Sequence, residues 1–167
     1  MAIDDVTYCR HESPIGEILT FYRDNVLCHL DFTDCELRWE KLLKRRFPSL
    51  ILNEVSTNFE LDNRLSDYFG RDHHAFRDIT MDTGGTDFQK KVWNTLCEVP
   101  FGETETYSSM AEMIGKPKAI RAMAAANALN PISIVIPCHR IIGKDGSLTG
   151  YGGGLERKRA LLEHEIR

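Results

Sequence analysis

The apolar residues of this chain change their spacing part-way along it, and that change limits the folds open to it. Residues 16–32, GEILTFYRDNVLCHLDF, alternate apolar and polar side chains on either side of Asp24-Asn25. That is the pattern of two strands joined by a tight hairpin turn. The next segments repeat near helical spacing: Leu37, Leu42, Leu43 and Phe47 in CELRWEKLLKRRF, then Leu61, Leu65 and Phe69 in NFELDNRLSDYFG, which Gly70 stops. After the polar stretch RDHHAFRDITMDTGGT mainly helical patterns follow. Thr86 and Gln89 have capping-box spacing and open a helix with Phe88, Val92 and Leu96 on one face. In TYSSMAEMIGKPKAIRAMAAANALNP two short helices are expected, broken by Gly115, Lys116 and Pro117. Ser109 and Glu112 would cap the first, and the second would run from about Lys118 to Leu129, in the outline of a helix-turn-helix. The expected fold class is α+β: a small N-terminal α/β domain over residues 1–82 and a mainly helical domain over residues 83–167.

Composition narrows the function classes. With 167 residues, 42% of them apolar, the chain can bury a core, yet no run approaches the length of a membrane span. The opening MAIDDVTYCR lacks the basic-then-apolar layout of a signal peptide, so the cytoplasm is the expected compartment. Five cysteines, at 9, 28, 35, 97 and 138, form an odd set without a C-x-x-C pair, which favours reduced thiols. Charge is uneven: residues 1–82 carry 10 Lys+Arg against 16 Asp+Glu, a net of −6, and residues 83–167 carry 11 against 9, a net of +2. A nucleic-acid partner would bind the second half.

The stretch NPISIVIPCHRIIGKDGSLTGYGGG, residues 130–154, is where chemistry concentrates. A free cysteine is most often a small buried hydrophobe. Around Cys138 the setting differs. Pro137 removes a backbone donor, which places the cysteine where a strand over the preceding apolar run leaves its sheet. His139 and Arg140 put potential positive charge beside the thiol, a setting that favours the nucleophilic thiolate. Successive residues on an extended chain face opposite ways, so a water is expected between His139 and Cys138. Glu165 could orient His139, while Tyr107, Asn130 and Tyr151 flank the same site; each has an ordinary structural alternative as a helix end, cap, turn or core residue. Gly150 to Gly154 lack a P-loop sequel and read as a pocket wall. The alanine-rich helix with Arg121 suits either a close helix contact or an approach to a nucleic-acid groove. Cys9, His11, Cys28, His29, His73 and His74 match no zinc spacing, and no metal or other cofactor is expected.

Pro137-Cys138-His139-Arg140, with Asn130-Pro131 before it and Tyr151-Gly152-Gly153 after it, resembles the signature of the O6-alkylguanine-DNA alkyltransferases. The similarity extends back to TGGTDFQKKVWNTL, and loosely to Ser13-Pro14-Ile15-Gly16. The resemblance implies a ribonuclease-H-like N-terminal domain and a C-terminal domain with a winged-helix-like helix-turn-helix. It implies irreversible, single-turnover alkyl transfer from O6-alkylguanine, or O4-alkylthymine, in double-stranded DNA to Cys138 after nucleotide flipping. In that scheme Glu165 orients His139, which deprotonates Cys138 through a water, and Asn130 holds the active-site turn. Tyr107 would assist the leaving guanine and contact DNA together with Arg121, Ala122, Ala124 and Ala125, Arg121 filling the gap in the helix. Tyr151, Gly152, Gly153 and Ile141 would line the pocket. A monomer is expected, with cooperative binding along DNA left open, and no membrane partner. Ala124 and Ala125 stand where many relatives have glycine, and Gly152 where some have serine. Two other readings are a non-catalytic protein that recognises alkylated DNA, from which Cys138 discriminates, and a helix-turn-helix transcription regulator.

Overall fold

The computed structural model describes residues 2–166. It is a mixed α+β structure that divides into two compact units, one ending at Gly84 and the other beginning at Gly85. In the first unit, β1 (Asp4–His11), β2 (Ile18–Arg23), β3 (Val26–Phe32) and β4 (Leu50–Glu54) form a sheet in the order β3-β2-β1-β4. The β1-β2 and β2-β3 pairs are antiparallel, whereas β4 joins β1 in parallel. Parallel pairing needs a crossover, and α1 (Glu36–Arg46) supplies it. The hairpin turn falls on Asp24 and Asn25, at φ 50° and 63°, left-handed values that short polar side chains tolerate.

Burial departs from the simple periodic reading in three places. Leu37 is 88% exposed, and α1 covers the sheet with Leu43, Trp39 and the following Phe47, packed with Val6, Leu19, Phe21 and Cys28. On α2 (Phe59–Phe69) the buried stripe is Leu61, Leu65 and Tyr68, with Phe69 half-buried. The Asn58 side chain caps this helix by accepting from the Leu61 N–H at 3.0 Å. Strands β2 and β3 are buried almost throughout, so their polar positions turn inward and pair. Asp31 takes His29 and Arg38, and Thr20 takes His11 Nε2 at 2.6 Å and the Tyr22 hydroxyl at 2.7 Å. His11 also pairs with Asp62, tying β1 to α2.

These inward polar groups make stability depend on pH. Burial pushes the His29 imidazole below its ordinary 6.5 despite Asp31, and burial does the same to His139 in the second unit. Burial would raise the Asp31 carboxyl, but His29 and Arg38 outweigh it and hold it low. As pH falls through 6.5 the unfolded chain takes up protons that the folded histidines refuse, so stability is full above that value and declines below it. A second decline sets in near pH ~4, where unfolded carboxylates protonate before folded Asp31 does. The urea midpoint is expected to be lower at about pH 5.5 than at about pH 7.5; equal midpoints would contradict the assignment.

The second unit begins with α3 (Asp87–Leu96), and both hydrogen bonds of the Thr86–Gln89 capping box are present, at 3.1 and 2.9 Å. Gly85 stands at φ +83°, and a Cβ there would lie 2.7 Å from the Trp93 ring, so only glycine fits. Trp93 donates its Nε1–H to the Ala126 carbonyl at 2.9 Å, which joins α3 to α5 (Ile120–Ala128). Helix α4 (Tyr107–Met113) is capped by Thr106 with Ser109, not by Ser109 with Glu112, because the chain turns helical directly after the short strand β5 (Glu105–Thr106). Its partner α5 starts after Ala119, two residues later than the spacing suggests. β5 pairs in parallel with β6 (Ile141–Ile142), and α6 (Leu155–Ile166) ends the described chain.

The apolar run before Pro137 is not a strand. Residues 131–136 are buried, with a turn over 133–135, a single bridge residue at Ile132 and Ile134 at φ 70°. A continuous apolar run reports burial and not backbone shape. Here the backbone is shaped by Asn130, whose Nδ2 donates to the Ile136 carbonyl at 2.7 Å while its Oδ1 accepts from the Ile132 N–H at 2.9 Å. Both the nitrogen and the oxygen of that amide bond to the same short loop.

Candidate active site

The Asn130-held loop delivers Pro137 into a 3-10 turn, Cys138–Arg140, all three of whose residues are buried. Two features surround this turn. Pairing of Glu105 with Ile141 and of Thr106 with Ile142 sets the start of α4 beside the segment that leaves it. Helix α6 contributes Lys158, Leu161 and Glu165, a buried stripe at helical spacing.

Glu165 organises the charge. Its Oε1 lies 2.7 Å from His139 Nε2, and Arg140 grips it with two bonds, Nε to Oε2 at 2.9 Å and Nη2 to Oε1 at 3.0 Å. Arg140 Nη1 donates to the Val99 carbonyl at 2.6 Å. Burial would raise the Glu165 carboxyl, but His139 and Arg140 overcome it and hold the group ionised, well below the usual carboxylate range. An ionised Glu165 requires that His139 carry its proton on Nε2. Burial lowers the imidazole pKa against the pull of Glu165, so the ring is neutral at pH ~7. Its Nδ1 is buried and has no hydrogen-bond partner among the described residues. A neutral, oriented imidazole with an open lone pair is a general base.

This geometry adds a cation near the thiol to the charge expected of His139 and Arg140. His139 is neutral at pH ~7, and Arg140 is paired with Glu165. The cation is Lys158. Its fully buried ammonium donates to the Ile141 carbonyl at 2.5 Å and the Thr149 carbonyl at 3.1 Å. Burial lowers its pKa while a Cys138 thiolate raises it; that attraction is mutual, so Lys158 favours the thiolate. Burial instead raises the Cys9 and Cys28 thiols, the latter to about 11.

Of the remaining candidates, Tyr151 has its ring nearly perpendicular to that of His139, with centroids 6.4 Å apart, and Ile141 directly follows the turn. Gly152 and Gly153 lie in the turn closed by the Gly154 N–H on the Tyr151 carbonyl at 2.9 Å; the left-handed φ, 94°, belongs to Gly154. Tyr107, at the head of α4, has its hydroxyl 2.6 Å from Thr149 Oγ1. Arg121, Ala122 and Ala125 face outward on α5 and Ala124 is half-buried, while Met123, Ala126 and Asn127 turn inward. Among the described residues no group of three or more potential ligands could hold a metal ion.

The family model for the DNA-binding domain of 6-O-methylguanine DNA methyltransferase matches residues 87–167, from the first residue of α3. The whole chain is similar to full-length proteins as well. The methylated-DNA–protein-cysteine methyltransferase of Methanosarcina barkeri is 46% identical over 92% of this chain and 93% of its own. The chain belongs to the methylated-DNA–protein-cysteine methyltransferase family. The Mycobacterium bovis member is 52% identical over 96% of this chain and 92% of its own. The crystal structure of Mycobacterium tuberculosis OGT in complex with DNA superposes with a TM-score of 0.78 at 38% identity, covering 96% of this chain and 92% of that one.

In this family member two residues of the site escape a reading of the sequence. Lys158 lies in LERKRALLEHEI, where one buried cation is hidden between half-buried Arg157 and exposed Arg159; its spacing of three to Leu161 and seven to Glu165 is the available signal. Thr149 carries no signal at all.

Proposed function

We propose that this methyltransferase takes the alkyl group from O6-alkylguanine, and by the same chemistry O4-alkylthymine, in duplex DNA onto Cys138, once per molecule and as a monomer. One observation carries the proposal: a buried cysteine turn adjoins a histidine whose Nε2 is held by Glu165 and whose Nδ1 is open. In this reading residues 83–167 form the DNA-binding and acceptor domain, with α4 and α5 as a helix-turn-helix in a winged-helix-like setting, and residues 1–82 form a ribonuclease-H-like domain. The small, outward side chains of Ala122 and Ala125, with Ala124, let α5 approach the duplex, and exposed Arg121 enters the space left by the extruded nucleotide. Tyr151, Gly152, Gly153 and Ile141 receive the base, and Asn130 keeps the loop before Cys138 in shape.

Chemistry then needs a thiolate and a leaving base. The Cys138 proton passes through a water to His139 Nδ1, and Glu165 stabilises the imidazolium that results. The thiolate pair forms the S–C bond as the C–O6 bond breaks, and the electrons of that bond remain on guanine, which is neutralised by a proton for which Tyr107 is the donor. The product is a thioether and an unmodified base. A thioether does not hydrolyse under mild aqueous conditions, so the protein is consumed.

Intact mass before and after exposure to duplex containing O6-methylguanine tests this. One added methyl group, located on the Cys138 peptide, is expected, with no further addition in excess substrate. Repeated turnover, or label on Cys97, would reject the mechanism.

A further inference from the structure

We propose that Thr149 is a positioning residue for Tyr107: its hydroxyl donates to the phenolic oxygen and leaves the phenol proton for the departing base. The proposal rests on the alkyl-transfer reading and extends it to a residue that reading does not use. The two oxygens are 2.6 Å apart although the residues are 42 positions apart in sequence, and both side chains are half-buried. A pair of hydroxyls shares one hydrogen bond, and its direction decides what each can still do. With Tyr107 as the donor, its only proton would point at protein and could not serve a base. With Thr149 as the donor, the phenol O–H is free, and the same bond supports negative charge as it builds on the phenolic oxygen.

The backbone of Thr149 is fixed for this task. Its carbonyl accepts from buried Lys158 at 3.1 Å, and the same ammonium holds the carbonyl of Ile141, which follows the cysteine turn. Lys158 thus anchors the residue that aims Tyr107 and also biases the Cys138 thiol toward its anion. The loop 143–148 is spanned by this link, and its conformation need not be rigid for Thr149 to hold its place.

The test is single-turnover methyl transfer from duplex O6-methylguanine by wild type, Thr149→Val, Thr149→Ser, Tyr107→Phe and the Thr149→Val/Tyr107→Phe double variant. Valine keeps the shape and removes the hydroxyl, and should slow transfer about five- to tenfold, the worth of one such hydrogen bond. Serine should restore most of the rate. In the Tyr107→Phe background, Thr149→Val should cost nothing more, because the phenolic oxygen it serves is gone. Equal losses from Thr149→Val in both backgrounds, or a serine variant as slow as valine, would overturn the proposal while leaving alkyl transfer intact. No transfer by the wild-type protein would overturn the functional reading itself, and this inference with it.

Discussion

Glu165→Gln should both weaken the fold and stop the transfer. The carboxylate accepts from His139 Nε2 and from two guanidinium nitrogens of Arg140, all buried. Glutamine offers one acceptor and a donor in the same space, so its amide group must oppose a donor of Arg140 or of His139. Removing one partner of a buried ion pair costs about 3–5 kcal/mol, since the other charge is left without its counter-ion. The transfer rate should fall about 10²- to 10⁴-fold, the usual worth of a positioned general base, because nothing then keeps the proton on Nε2 and the lone pair on Nδ1. Adding Arg140→Met should recover much of the stability by deleting the stranded cation, and should not recover the rate. Urea unfolding and single-turnover transfer on the same samples separate the two effects. A folded Glu165→Gln protein that transfers at the wild-type rate would show that His139 is not the base.

Arg121→Ala should divide two substrates that the wild-type protein treats alike in chemistry. Arg121 is exposed on the outward face of α5, on no group that holds the Cys138 turn among the hydrogen bonds described. Extruding a nucleotide costs a few kcal/mol, and a side chain that replaces the lost stacking offsets part of it. A loss of about 100-fold in transfer from duplex corresponds to about 2.7 kcal/mol at 1.36 kcal/mol per decade. Free O6-alkylguanine needs no extrusion, and its rate should stay within about twofold, well under 1 kcal/mol. Equal losses on both substrates would place Arg121 in the pocket or in the fold.

How far the sequence revealed this molecule depended on whether a signal was local. Asp24-Asn25 and the Thr86–Gln89 box depend on neighbours within a few residues, and the hairpin turn and helix start lie where those residues put them. Leu37 and Phe69 repeat with the right spacing yet are not the residues their helices bury, since a periodic pattern cannot say how far an apolar stripe is covered by its partner. The run ISIVIP read as strand because β-branched residues favour one; Asn130 overrode that preference with two hydrogen bonds. Cys138 and His139 stood out by their neighbours in sequence. Lys158 and Thr149 did not, because what makes them matter is a carbonyl or a hydroxyl brought from elsewhere in the chain. Arg140 stands out in the sequence by its charge, and in the structure that charge is paired with Glu165.

The amide clamp at Asn130 has a consequence for how long the protein keeps its active form. An asparagine in a protein is lost over time when the backbone nitrogen of the next residue attacks the side-chain carbonyl carbon, closing a succinimide that opens to aspartate or isoaspartate. Either product would destroy this clamp, because a carboxylate cannot donate to the Ile136 carbonyl as Nδ2 does. The next residue here is Pro131, whose nitrogen carries no hydrogen and cannot close that ring. Under the single-transfer reading proposed above the molecule must wait, intact, for a lesion to appear, and the residue that shapes the loop before Cys138 is shielded from that route of chemical ageing by the proline beside it.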